Sequence, residues 1–169
     1  MTNKNKGFTI VETLVAITVL VLAISGATTA LQTGVSSYVY AKNQVIAFYL
    51  AQEGFEQIRN IRDQNALQNQ NWLTGIAAVG TDPCYFGSTC RVDAVPGTLT
   101  RCVGSCPYIQ QSTSGAYGHT SGPNTVFRRT ISLASVSANE IAITVTVDWS
   151  KGPINRQFRA RENLLNWPQ

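Results

Sequence analysis

The stretch Lys6-Gly7-Phe8-Thr9-Ile10-Val11-Glu12-Thr13-Leu14-Val15-Ala16 sets a basic residue, a lone acid and the start of a long apolar run side by side. From Thr13 to Ala41 no residue is charged, and Leu14 to Ile24 is nearly continuous Leu, Val, Ile and Ala. At about 1.5 Å of rise per residue, roughly 20 such residues cross the hydrocarbon core of a bilayer, so this run predicts a membrane-spanning helix. Lys4 and Lys6 stand on its N-terminal side. The positive-inside tendency then leaves the chain beyond Tyr38 outside the cytoplasm.

Glu12 is the residue that asks for a reason. An ionised side chain near hydrocarbon costs about 2.5–3.5 kcal/mol on insertion scales unless it is partnered. One reading places Glu12 at the membrane interface, where the positive end of a helix dipole favours an anion. A conventional secretory signal would end in a small-residue cleavage site, for which Ala23 to Ala27 is only weakly permissive, and it gains nothing from an acid in its first turns.

The run from Lys6 to Ala16 resembles the cleavage and methylation motif of type IV prepilins and type II secretion pseudopilins: a basic leader, Gly7, Phe8, an acid at the fifth residue after the glycine, then an apolar span. The resemblance implies that a prepilin peptidase cuts between Gly7 and Phe8 and that the new N-terminus of Phe8 is methylated. It implies further that Glu12 pairs with the N-terminal amine of a neighbouring subunit during assembly. That pairing answers the cost argued above, because opposite charges in a low-dielectric setting are far cheaper together than apart. The implied partners are other pilin or pseudopilin subunits, the peptidase and methyltransferase, an inner-membrane assembly platform, and membrane lipid before assembly. The implied location is the inner membrane as a single-pass precursor, then a periplasmic or extracellular filament.

Beyond the span, Ala47, Leu50, Ala51, Gly54, Phe55, Ile58 and Ile61 recur at spacings of three and four, an amphipathic helical stripe. No proline occurs before Pro83, so one helix is predicted from Phe8 to about Leu67, roughly 90 Å at 1.5 Å per residue. The expected organisation is a leader, 1–7, an apolar assembly half-helix, 8–41, and a head, 42–169. Within the head the helix continues over 42–67. The stretch Ala51 to Asp63 also resembles, more loosely, a segment common in minor pilins and pseudopilins.

Residues 75–125 hold all four cysteines, Cys84, Cys90, Cys102 and Cys106, among many glycines and four prolines, with little periodicity. They read as irregular loops with Ser112 to Asn124 as a mobile tip. An even cysteine count in an oxidising compartment suits two disulfides, whose pairing the sequence leaves open. Zinc is the rival reading, but the cysteines are separated by five, eleven and three residues, without a C-x-x-C pair or a nearby histidine before His119. No metal or other cofactor is expected. About three antiparallel strands follow over 126–165. The clearest alternates Ile141, Ile143, Val145, Val147 and Trp149 with Ala142, Thr144, Thr146 and Asp148. The predicted class is α+β, a pilin-like long helix whose second half packs on a small sheet.

Charge argues little. With Lys4 and Lys6 removed, 11 basic and 9 acidic residues remain, a net charge of +2, too small to indicate nucleic-acid binding. Arg128, Arg159 and Arg161 form a possible basic contact face for DNA phosphates, against the simpler reading of a solvated surface. Tyr85, Phe86 and Tyr108 flank cysteines and read as packing around disulfides or as an adhesive surface. No nucleophile, base and orienting group share a recognisable spacing, and His119, Asp82, Asp93 and Asp148 read as loop, turn or surface residues, so no enzyme is expected. Three readings remain: a filament subunit, major or minor, of a pilus or a secretion pseudopilus; a tip subunit whose head binds a surface or DNA; and an exported, membrane-anchored enzyme, which no residue constellation supports.

Overall fold

The computed structural model describes residues 7–93 and 96–166; the leader positions before Gly7, Lys4 and Lys6 included, lie outside the described residues. The fold is α+β. A single helix, α1, runs Ile10–Leu67, and the strands follow it: β1 Thr89–Asp93, β2 Thr98–Arg101, β3 Gln110–Gln111, β4 Tyr117–Gly118, β5 Phe127–Ser137, β6 Glu140–Lys151 and β7 Ile154–Leu165. The chain forms two compact units, Met1–Lys42 and Asn43–Gln169. In the second, β2, β1, β5, β6 and β7 make one antiparallel sheet in that order, and β3 pairs with β4 separately.

The amphipathic stripe explains why the helix beds on the sheet. Ala47, Leu50, Ala51, Gly54, Phe55 and Ile58 are buried at three- and four-residue spacing, against Ile131, Leu133, Ile143, Val145 and Val147 of the two central strands. Burying a side chain such as Ile58 contributes about 1.5–3 kcal/mol. Gly54 sits where the layers approach closely: a Cβ there would meet Val145 Cγ1 at 3.3 Å. The helix stops at a Schellman turn, in which Asn69 takes a left-handed φ of 55°, its N–H donates to Ala66 O and that of Gln70 donates to Asn65 O. The Asn65 side chain, buried, donates to Trp72 O and Thr74 O, which folds Trp72, Leu73, Ile76 and Ala77 back into the core.

Two expectations need correcting. The sheet has five strands, not about three, and residues 75–125 are not wholly irregular, since β1 to β4 lie within them. β1 and β2 are short and carry Thr, Cys, Arg and Asp, so neither shows an alternation that sequence reading detects. They become strands because β5 offers its free edge: Thr89 pairs with Ser132 and Cys90 with Ile131. Ser112 to Asn124, read as a mobile tip, is bonded at its base. Gln111 N–H donates to Pro123 O, Ser112 N–H to Ala116 O and Thr125 N–H to Ile109 O, so this stretch is closed by backbone bonds. Gly122, at φ 99°, has no room for a side chain, because a Cβ would lie 2.0 Å from Gln111 O.

Candidate functional site

Three groups of residues in this fold bear on chemistry: the start of α1, a buried cation under the sheet, and the polar face of the sheet.

At the start of α1, Thr9 precedes the first helical residue and its Oγ1 accepts the Glu12 N–H at 3.2 Å, while Thr13 N–H donates to Thr9 O at 3.1 Å. This is an N-cap in a Thr-x-x-Glu pattern, and it places Glu12 in the first turn, where the unpaired N–H groups favour an anion. Behind Glu12 the helix is long and apolar enough to cross a membrane. Five of its threonine hydroxyls are satisfied internally: Thr13, Thr18, Thr28, Thr29 and Thr33 each donate to a carbonyl three or four residues back, at 2.7–3.0 Å. Such back-bonding removes the cost of taking a hydroxyl into hydrocarbon. Glu12 has no such relief, since the ion pairs among the described residues do not include it. Phe8, 79% exposed, stands just before the cap. The Thr-x-x-Glu spacing was a visible signal for this cap that reading for hydropathy alone passes over.

The buried cation is Arg129, which the sequence reading did not single out. Its side chain is 2% exposed. Nη1 donates to Leu50 O at 2.8 Å and to Glu53 Oε2 at 2.6 Å, and Nη2 donates to Val92 O at 2.8 Å. One guanidinium thus ties α1 to β1 and β5. Burial pushes its pKa down, and the Glu53 carboxylate opposes that shift. The available signal was positional, because Arg129 alternates with Phe127, Ile131 and Leu133, all core-facing.

The cysteines pair as Cys84–Cys90 and Cys102–Cys106, with Cα separations of 5.1 and 5.0 Å. The first, buried, fastens the turn segment after α1 to β1; the second closes the short loop that leaves β2. Tyr85 and Phe86 pack on each other with centroids 5.5 Å apart. No group of three or more metal-ligating side chains occurs among the described residues. Asp82 accepts the Val79 N–H in a turn, and Asp148 accepts from Gln157 Nε2 at 2.9 Å. Asp93, in contrast to its surface reading, is buried at the end of β1, and its Oδ1 lacks a hydrogen-bond partner.

His119 lies near Asp93, Arg91 and Arg129, with both ring nitrogens buried and outside hydrogen-bonding geometry. Burial lowers its pKa, the two arginines lower it further, and Asp93 and the Tyr108 backbone act in the opposite sense. The neutral ring is therefore favoured in the folded head, and the unfolded chain takes up the proton first. As pH falls below about 6.5, the head should lose stability until the folded-state ring titrates too. Thermal melts at about pH 7.5 and about pH 5.5 are expected to show a smaller acid-side loss for His119→Gln than for the parent chain; an equal loss would place the proton uptake elsewhere.

The strand registers put Arg128 opposite Asp148, Arg159 opposite Thr146 and Arg161 opposite Thr144. Residues opposite one another share a face, so all three arginines lie on the face turned away from the core-facing Ile131, Val145 and Val147. Arg159 and Arg161 are exposed. Arg128 is half-buried, its guanidinium 4.6 Å from the centroid of the Tyr108 ring.

Comparison with known proteins bears on the first of these groups. Residues 2–28 match the family model described as the prokaryotic N-terminal methylation motif. Curated proteins and solved structures return no match to the chain. The capped, acid-bearing start of α1 and the apolar helix behind it therefore carry the motif that marks type IV prepilin-like proteins.

Proposed function

We propose that this chain is a structural subunit of a type IV pilus-like or pseudopilus filament. The observation that supports this reading best is the methylation motif itself, with Glu12 as the one acid in the first turn of α1, ahead of an apolar run that is uncharged from Thr13 to Ala41. In this reading residues 1–7 are a leader removed between Gly7 and Phe8, Phe8 is then N-methylated, and 8–41 serve first as anchor and later as the assembly element. Residues 42–169 form the head on the outer side of the membrane. The peptidase and methyltransferase act on the chain; the chain itself catalyses nothing.

Assembly follows from the charges. Glu12 in one subunit is neutralised by the methylated α-amine of Phe8 in a neighbour, which is available only after cleavage. The pairing selects cleaved subunits and sets their axial offset, because an unpaired Glu12 inside a bundle of apolar helices bears the full desolvation cost. The partners are thus other copies of this chain or related subunits, with an inner-membrane platform to extract them from lipid.

Mass analysis of subunits from purified filaments tests the reading. The expected N-terminus is Phe8 carrying one extra methyl group. Chains that begin at Met1 and stay as membrane monomers would overturn it.

A further inference from the structure

The polar face of the sheet has a cavity that the filament role does not use. It has a volume of about 430 Å³ and is lined by Tyr108, Arg128, Asp148, Ser150, Asn155 and Gln157, among others. That volume is within the usual range for small-ligand sites. Register explains its composition: Arg128, Asp148 and Gln157 stand in one row across β5, β6 and β7, and Ser150 and Asn155 form the next row towards the 151–154 turn. The cavity is therefore built mainly on three paired strands, with Tyr108 supplied by the segment just before β3.

Arg128 is its most informative member. It lies directly opposite Asp148 in the register, yet the ion pairs among the described residues do not include these two. Asp148 is engaged by Gln157, and the Arg128 guanidinium is laid over the Tyr108 ring with its Nε buried and lacking a hydrogen-bond partner. A cation held over an aromatic ring has already lost part of its rotamer freedom, so less is lost when it takes an oxyanion. A planar guanidinium suits a carboxylate, with two parallel N–H···O bonds.

The remaining walls point to what carries that carboxylate. Asp148 only accepts, Asn155 and Gln157 both donate and accept, and Ser150 does either. A concave site with mixed donors and acceptors beside the held Arg128, with Arg156 also on its wall, suits a compact ligand bearing several hydroxyls and an acid. We propose that this cavity binds uronic-acid units of an acidic polysaccharide, with the carboxylate on Arg128 and the ring hydroxyls on Asp148, Asn155 and Gln157. Duplex DNA fits less well. Its phosphates favour cations without a competing acid, whereas here Asp148 faces into the same small space as Arg128 and Arg156. The inference concerns the head alone and draws on the filament reading only for the side of the membrane on which the head resides.

The test uses the full chain in detergent micelles, titrated calorimetrically with trigalacturonic acid and, separately, with the neutral galactose trisaccharide. Binding of the acid form only is expected, weakened about tenfold or more by Arg128→Gln and several-fold by Gln157→Ala. Tryptophan fluorescence confirms that each variant is folded. Should Arg128→Gln unfold the head, Gln157→Ala and Asn155→Ala carry the test. Equal affinity for the neutral sugar, no binding at millimolar acid sugar, displacement of the acid sugar by an equal concentration of a duplex oligonucleotide or an acidic peptide, or unchanged affinity in all variants would overturn the proposal. Filament assembly by the Arg128→Gln variant, scored separately, distinguishes failure of this inference from failure of the assembly reading.

Discussion

Glu12→Ala is expected to leave the chain in the membrane and to abolish filaments. The substitution removes a charge from the first turn of α1 and makes the apolar segment a better membrane span, by less than the roughly 2.5–3.5 kcal/mol that insertion scales assign to a charge at a helix centre. On anchoring alone the variant should therefore do at least as well as the parent. The loss appears at assembly, where the α-amine of a neighbouring Phe8 would enter an apolar bundle with no counter-charge. Leaving one buried charge unpaired costs about 3–5 kcal/mol, a factor of more than a hundred in each subunit addition. Glu12→Gln should also fail, because an amide keeps the shape and loses the charge, and this separates pairing from packing. Electron microscopy of sheared preparations, with membrane fractions blotted in parallel, reads both outcomes. Filaments at parental abundance from either variant would refute the role given to Glu12.

Arg129→Leu is expected to destabilise the head by about 3–5 kcal/mol. Leu50 O and Val92 O lose their Arg129 donors, and Glu53, partly buried, loses its counter-charge. For a unit of this size the melting temperature should fall by about 10 °C or more. Trp72 and Trp149, both in the head core, allow the melt to be followed by fluorescence in the full chain without interference from the membrane helix. The double variant Arg129→Leu with Glu53→Gln should recover part of the loss, since it removes the stranded carboxylate. A loss below about 1 kcal/mol in the single variant would show that the pair's attraction barely exceeds its desolvation.

The two variants fail at different places, one in assembly and one in the head. Their difference follows how far each feature was legible along the chain. Glu12 announces itself because its neighbours in sequence are its environment: an acid among Val, Ile and Leu is conspicuous whatever the rest of the fold does. Arg129 does not, because its partners come from Leu50, Glu53 and Val92, dozens of residues away. Only its alternation with Phe127, Ile131 and Leu133 hinted that it points inward. The helix stripe and the strands β5, β6 and β7 were readable for the same local reason as Glu12, since their periods of 3.6 and 2 are written in consecutive residues. β1 and β2 lack that pattern and exist through the edge of β5 and the Cys84–Cys90 bond.

For the stretch around Gly7 to Ala16, sequence alone determined the anchor, the single acid in its first turn and the methylation motif, because these depend on hydropathy, charge and spacing between neighbours. Tertiary structure decided that the cysteines pair as Cys84–Cys90 and Cys102–Cys106, that Arg129 ties α1 to the sheet, and that Arg128, Asp148 and Gln157 fall in one row beside Tyr108. All but the local Cys102–Cys106 pair depend on how distant segments meet, and strand register is set when those segments bury their apolar faces together.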